Sequence, residues 1–120
     1  MTILRSNLAH GAAGFLLMGS WAYFANRNFP WPAPALAFAV QGTLTAAITL
    51  LLKRTIETVL ARAPDQPWLA PMAAAAISGT LLCAVHTLAG TPAFWMTIAV
   101  PFSVATGYAI LYTWRLARDG

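Results

Sequence analysis

The sequence is poor in charged residues. Asp, Glu, Lys and Arg make up only 8% of its 120 residues, whereas 59% are hydrophobic. A typical soluble domain has about 25% charged residues, and a soluble protein as apolar as this one would expose large hydrophobic patches to water. The composition therefore excludes an ordinary soluble domain. The length suits one domain, residues 1–120, built as a single four-span transmembrane unit.

Acidic residues and cysteine are also scarce. The chain has three acidic residues and one cysteine, Cys83. A single cysteine excludes an internal disulfide and a multi-cysteine metal site, and Glu57 is the only acid next to an apolar run. We find no Ser/His/Asp set, no glycine-rich phosphate loop and no metal-ligand spacing. The sequence thus predicts no enzyme activity, no metal site and no cofactor.

Four long apolar runs dominate the rest of the sequence. They cover residues 8–25, 35–53, 68–89 and 93–114, and each is long enough to cross a hydrocarbon layer of ~30 Å. Trp and Tyr lie near their ends, where aromatic residues meet the membrane interface. The sequence predicts an all-α integral membrane protein, an antiparallel bundle of four spanning helices.

Proline and glycine mark the connections between these runs. Three prolines in residues 26–34 predict an extended first loop. In the third connection, we expect Gly90 to adopt a left-handed conformation that ends a helix. Thr91 is then expected to be the N-cap of the last helix and Pro92 its first residue. The last two spans should form a tight hairpin.

Basic residues predict the orientation of the chain. Six of them share one side of a four-span arrangement, and only Arg27 lies on the other side. The six are Arg5, Lys53, Arg54, Arg62, Arg115 and Arg118. Because basic residues accumulate in cytoplasmic segments, we expect both termini in the cytoplasm and the protein in a bacterial inner (plasma) membrane. The basic residues form no continuous stripe, so no nucleic-acid partner is expected.

A row of polar residues runs along the second span. Gln41, Thr45 and Thr49 recur every fourth residue, so they can face one neighbour of the helix. Two interpretations stay open: polar contacts between helices, or the lining of a solute pathway. The first interpretation is favoured. Threonine hydroxyls can also bond carbonyls of their own helix, which would satisfy them locally.

His86, near the end of the third run, is the fourth candidate for the pathway or for a contact between helices. It could sense the external pH or donate to a carbonyl near Pro101, and we expect the second. Pro101 should kink the last helix and free the carbonyl of Thr97. His10 is expected at the opposite end of the bundle. A metal or haem shared by the two histidines is therefore not expected within one chain.

Two further patterns concern packing. Lys53 and Glu57 are four residues apart and predict an ion pair at the membrane edge, which contributes about 0.2–0.5 kcal/mol when exposed. A row of small residues in the third span predicts close approach of another helix. It consists of Ala75, Gly79, Cys83 and Thr87.

These observations favour a small non-enzymatic multi-pass membrane protein that acts through helix packing, as an accessory or assembly component. Its expected partners are the lipid bilayer and either further copies of itself or a larger membrane complex. The alternative is a small oligomeric transporter or channel with a pathway lined by the second span. A cavity beside Gln41, Thr45 and Thr49 favours transport, whereas contact with a neighbouring helix and no void favours packing.

Overall fold

The protein is all-helical over residues 2–119, which are the residues that this computed structural model describes. Four helices follow one another: α1 (Thr2–Ala25), α2 (Ala33–Arg62), α3 (Leu69–Ala89) and α4 (Phe94–Asp119). No strand occurs within these residues. The all-α prediction and the number of helices are confirmed.

Three of the helices are long and apolar enough to cross a membrane, namely α2, α3 and α4. Within the described residues α1 is not among them, although it has 24 residues. Its sequence includes Arg5 and His10 near one end and several glycines, which lower its hydropathy. The prediction of a helical membrane protein is therefore confirmed for three helices, and a fourth span remains a prediction.

The helix boundaries differ from the predicted ones around α2. This helix begins at Ala33 and continues to Arg62, well beyond the predicted span of 35–53. The predicted loop 26–34 was too long, since Pro34 lies in the first turn of α2. A proline is tolerated there because the first N–H groups of a helix have no partner within it. The segment from Lys53 to Arg62 stays helical because no helix breaker occurs before Pro64.

The connection between α3 and α4 begins as expected. Gly90 has a positive φ of 69°, its N–H donates to the carbonyl of Thr87, and the N–H of Thr91 donates to the carbonyl of His86. This pair of bonds is a Schellman motif, which favours glycine because glycine has no Cβ to clash.

The prediction for the start of α4 was wrong. The N–H of Thr97 donates to the carbonyl of Ala93 at 2.9 Å, so Ala93, and not Thr91, is the N-cap residue. Pro92 accordingly precedes α4 and is not its first residue. The hydroxyl of Thr91 bonds the side chain of His86 instead.

Glycines bring α1 close to α2. A Cβ on Gly42 would lie 2.9 Å from the ring of Phe15, and one on Gly19 would lie 3.1 Å from the carbonyl oxygen of Phe38. The rings of Phe15 and Phe38 meet edge to face with centroids 5.7 Å apart. Small residues that admit a large neighbour are a common way for membrane helices to approach one another.

The buried apolar core of the described residues joins α2, α3 and α4. The face of α3 that it buries is a row of residues four apart, which lies beside the predicted row of small residues. The buried residues of α3 are Ala70, Ala74, Ser78, Leu82 and His86. Gly79, Cys83 and Thr87 of the predicted row instead line a shallow open groove on the adjacent face of α3. The predicted close approach of another helix is seen at Gly79, where an added Cβ would lie 3.1 Å from the ring of Phe102 in α4. It stays a prediction for the rest of the row.

Candidate functional site

The polar residue Gln41 of α2 lies in the interior and contacts α3. Its side chain is fully buried, as is that of His86. Gln41 Oε1 lies 2.6 Å from His86 Nε2. Because each buried polar group is costly unless it is hydrogen-bonded, this pair fixes the register of α2 against α3.

The second ring nitrogen of His86 contacts the turn that follows α3. His86 Nδ1 lies 2.7 Å from the hydroxyl oxygen of Thr91. An amide oxygen can only accept, so the neutral ring carries its proton on Nε2 and donates to Gln41. Nδ1 then accepts the proton of the Thr91 hydroxyl. Both ring nitrogens are satisfied, and neither partner is a carbonyl near Pro101, so that expectation for His86 was wrong.

The threonines of the row continue the network along α2. Gln41 Nε2 donates to the hydroxyl oxygen of Thr45 at 2.7 Å. The hydroxyl of Thr49 donates to the carbonyl of Thr45, four residues earlier, at 2.8 Å. Thr49 thus forms the local bond typical of threonine in helices, whereas Thr45 receives a bond from a side chain.

A cavity of about 240 Å³ lies between α1, α2 and α4. Ile48, Leu52 and Leu82 form part of its lining and are buried. The lining residues Leu17 of α1 and Val104 of α4 are 66% and 54% exposed. The cavity therefore opens to the surface of the protein between α1 and α4.

Four polar side chains reach this cavity. They are Thr45, Thr49, His10 and Tyr108, and the other lining residues are apolar or glycine. The rings of His10 and Tyr108 meet edge to face with centroids 6.1 Å apart. The cavity is thus largely apolar and has hydroxyl groups on the side formed by α2.

The structure divides the predicted polar row into two parts. Gln41 contacts a neighbouring helix and is absent from the cavity lining, as the packing interpretation requires. Thr45 and Thr49 line the cavity, as the pathway interpretation requires. His86 belongs with Gln41, because it is fully buried and bonded to it.

Asn26 forms a second buried network that the sequence did not predict. Its Oδ1 accepts the N–H of Ala93 at 2.9 Å. Its Nδ2 donates to the hydroxyl of Thr97 and to the carbonyl of Ala22, each at 2.8 Å. This one fully buried side chain connects the end of α1 to the start of α4. The only sequence signal was an asparagine directly after an apolar run, a position that usually belongs to an exposed loop.

At the opposite end of the bundle, Glu57 has a different partner from the predicted one. Its Oε2 accepts the proton of the Tyr112 hydroxyl at 2.6 Å, and within the described residues no salt bridge to Lys53 accompanies this bond. Tyr112 stacks on Tyr108 with centroids 5.5 Å apart. The phenol replaces the lysine because α4 runs alongside this part of α2, which the sequence could not show.

Pro101 is buried within α4 and lines the cavity. It has no N–H, so the carbonyl of Thr97 lacks the usual helical donor, and the kink itself remains a prediction. Further along α4, the hydroxyls of Thr106 and Thr113 are buried without a hydrogen-bond partner among the described residues. Within the described part of the chain, no three His, Cys, Asp or Glu residues group closely enough to hold a metal ion.

Comparisons with known proteins give no family for this chain. No protein-family model matches it, and neither a curated protein nor a solved structure is significantly similar to it.

Proposed function

We propose that the chain is a small non-enzymatic multi-pass membrane protein that acts through helix packing, as an accessory or assembly component. The observation that carries this proposal is the pair formed by Gln41 and His86. Both side chains lie in apolar segments, are fully buried and are bonded to each other. They are therefore used to join α2 to α3 and are not presented to a solute.

The proposal includes an antiparallel arrangement in which all four helices cross the bilayer and both termini are cytoplasmic. Contacts between α1 and α2 support it, since Gly14 faces Thr45 and Gly19 faces Phe38. Residue numbers therefore rise along α1 where they fall along α2, as in an antiparallel pair. The bonds of Asn26 support it too, because they place the end of α1 beside the start of α4. Because α1 contacts both α2 and α4, it should cross the bilayer together with them, although it is less apolar.

Association with another helix is supported by the open face of α3. Its shallow groove is lined by small residues and one leucine, and Leu88 is 88% exposed. Small residues at a helix surface allow backbones to approach within a membrane. We infer that α3 provides the contact to a further copy or to a larger membrane complex.

The test uses the full chain extracted from its own membrane into polymer-bounded nanodiscs. We expect an assembly larger than the 12.8 kDa chain, and we expect Ala84→Trp in the groove to reduce it to the single chain. Ala39→Trp, on the exposed face of α2, is the matched control and should leave the assembly intact. A single chain in the unaltered protein would overturn the proposal.

A second function, transport of a small solute, is favoured by one observation, namely that Thr45 and Thr49 line a cavity. A transporter or channel reconstituted into liposomes would raise their permeability to a small polar solute such as urea. Thr49→Val would then change that permeability while the assembly persists. A packing protein leaves the permeability at the value of the lipid alone.

A further inference from the structure

The cavity between α1, α2 and α4 has a size that matches a small ring compound. An engineered protein cavity of about 150 Å³ binds benzene, and sites for drug-sized ligands begin at about 300 Å³. The volume of about 240 Å³ lies between these values. It corresponds to one substituted ring or two fused rings.

The lining of the cavity favours an uncharged occupant. No Asp, Glu, Lys or Arg is among the described lining residues, and ten of the fourteen are apolar or glycine. A cavity lined in this way is a poor site for water, because each water needs two to four polar partners. A charged ligand would lose its hydration here without an opposite charge to compensate.

One hydroxyl on the α2 side is available to a ligand. The oxygen of Thr45 accepts the amide proton of Gln41 at 2.7 Å, and among the described residues its own hydroxyl proton has no acceptor. The hydroxyl proton of Thr49, in contrast, is already donated to the carbonyl of Thr45. Thr45 can therefore donate into the cavity, where the natural partner is a carbonyl oxygen.

We propose that this cavity is a binding site for an uncharged, lipid-soluble ring compound that carries a carbonyl oxygen, such as a quinone. The ring lies among Leu52, Leu82 and Pro101, and its carbonyl oxygen accepts the hydroxyl proton of Thr45. Gln41 orients that hydroxyl by occupying its oxygen. The buried network around His86 thereby positions the donor of the binding site.

The opening of the cavity fits a ligand that arrives from lipid. Leu17 and Val104 on either side of it are exposed apolar residues, so the opening is hydrophobic. This route of entry rests on the proposed membrane placement of α1 and α4. The binding itself does not, because it depends only on the fold of the chain.

The experiment uses the full chain in lipid nanodiscs and a radiolabelled naphthoquinone with both free positions of its quinone ring methylated, so that it cannot add to the thiol of Cys83. We expect saturable binding of one molecule per chain after subtraction of empty nanodiscs. Dimethylnaphthalene, which has the same rings and no carbonyl, should bind about three- to tenfold more weakly, which corresponds to one lost hydrogen bond. A naphthalene sulfonate should not compete, because it is charged.

Variants separate the hydrogen bond from the cavity. Thr45→Val should weaken quinone binding by about three- to tenfold and leave dimethylnaphthalene binding unchanged, and Thr45→Ser should restore it. Thr43→Val, on the exposed face of the same helix, is the control. Ala105→Phe should abolish binding of both compounds by filling the cavity, and Leu17→Trp at the opening serves if that variant does not fold.

Two results would overturn the proposal. One is the absence of saturable binding by the unaltered protein, and the other is binding that Thr45→Val and the cavity-filling variant leave unchanged. Neither result bears on the assembly measured in native nanodiscs. A failure of the proposed function can therefore be told apart from a failure of the binding site.

Discussion

Gln41 and His86 show how two polar side chains can be kept inside an apolar bundle. The amide oxygen and nitrogen of Gln41 are hydrogen-bonded to His86 and Thr45. The two ring nitrogens of His86 are hydrogen-bonded to Gln41 and Thr91. Such a network specifies one arrangement of helices, because any other arrangement leaves several polar atoms buried without partners.

We expect Gln41→Leu to destabilise the protein by about 1–3 kcal/mol, because the volume is nearly kept while the Nε2–H of His86 and the hydroxyl of Thr45 lose their partner. The measurement is reversible unfolding in detergent or nanodiscs. Thr43→Leu, two residues away and exposed, should change the free energy of unfolding by about 0.5 kcal/mol or less.

A double variant makes this prediction specific. His86→Phe in the Gln41→Leu background removes the Nε2–H group that Gln41→Leu leaves without a partner, and it should recover part of the loss. Stability that is additive over the two sites would show that the side chains do not interact in the folded protein.

At the residue scale, the spacing of polar residues in the sequence singled out Gln41, Thr45 and Thr49 of α2 as candidates for contacts between helices or for a pathway. It could not predict their partners. His86 is 45 residues from Gln41 along the sequence, and the two partners of Asn26 in α4 and before it are 67 and 71 residues away. No local pattern encodes contacts at such separations. Thr91 was misassigned for the same reason, because a threonine before a proline is a good N-cap candidate unless a buried histidine is within reach.

At the scale of single helices, the contact between α1 and α2 depends on glycines that admit aromatic rings. Gly42 lies so close to the ring of Phe15 that an added Cβ would be 2.9 Å away from it. Gly107 in α4 and Gly11 in α1 have no heavy atom within 4 Å of an added Cβ. The same substitution at these positions therefore has opposite expected effects.

We expect Gly42→Ala to destabilise the protein by about 1–3 kcal/mol through the forced shift of Phe15. Gly107→Ala should be neutral or stabilise it by up to about 1 kcal/mol, because alanine is the better helix former. The free energy of unfolding measured for both variants under one set of conditions gives the comparison. Phe15→Leu should relieve the clash in the Gly42→Ala background, and equal effects of the two glycine substitutions would contradict the assigned contact.

The positions of the helices were predicted from the sequence more reliably than the faces that they bury. Long apolar runs predict helices because a chain in lipid must satisfy its backbone internally, and three of the four runs pass as membrane-crossing helices. The buried face of α3 lies one position away from the row of small residues, and the sequence did not show which helix that row would contact. In an apolar helix no polar face marks the outside, so size and shape of the side chains decide burial, and these depend on the neighbouring helices.

For the whole molecule, the proposed orientation has a direct test. With Cys83→Ser as the background, single cysteines at Asn28 and at Asp119, both exposed, report the two sides of the membrane. We expect a membrane-impermeant maleimide added to intact cells to label Asn28→Cys only, because the basic residues hold the termini inside. In inverted vesicles the labelling should be reversed.

Labelling of Asp119→Cys from outside intact cells would contradict the proposed orientation. Labelling of both positions from one side would show an even number of crossings between them, in conflict with a crossing by each of α2, α3 and α4. The placement of α1 is decided by a third cysteine, at the exposed Ser6 near the start of this helix. Ser6→Cys should be labelled from the same side as Asp119→Cys if α1 crosses, and from the side of Asn28→Cys if it does not.

The bonds of Asn26 also have a consequence for synthesis. Two of its partners belong to the last quarter of the chain, so they do not exist while the ribosome is still producing the middle helices. Until α4 arrives, the amide of Asn26 has only the carbonyl of Ala22 from its own helix. The hydrogen bonds between the end of α1 and the start of α4 can therefore form only after α4 has been synthesised.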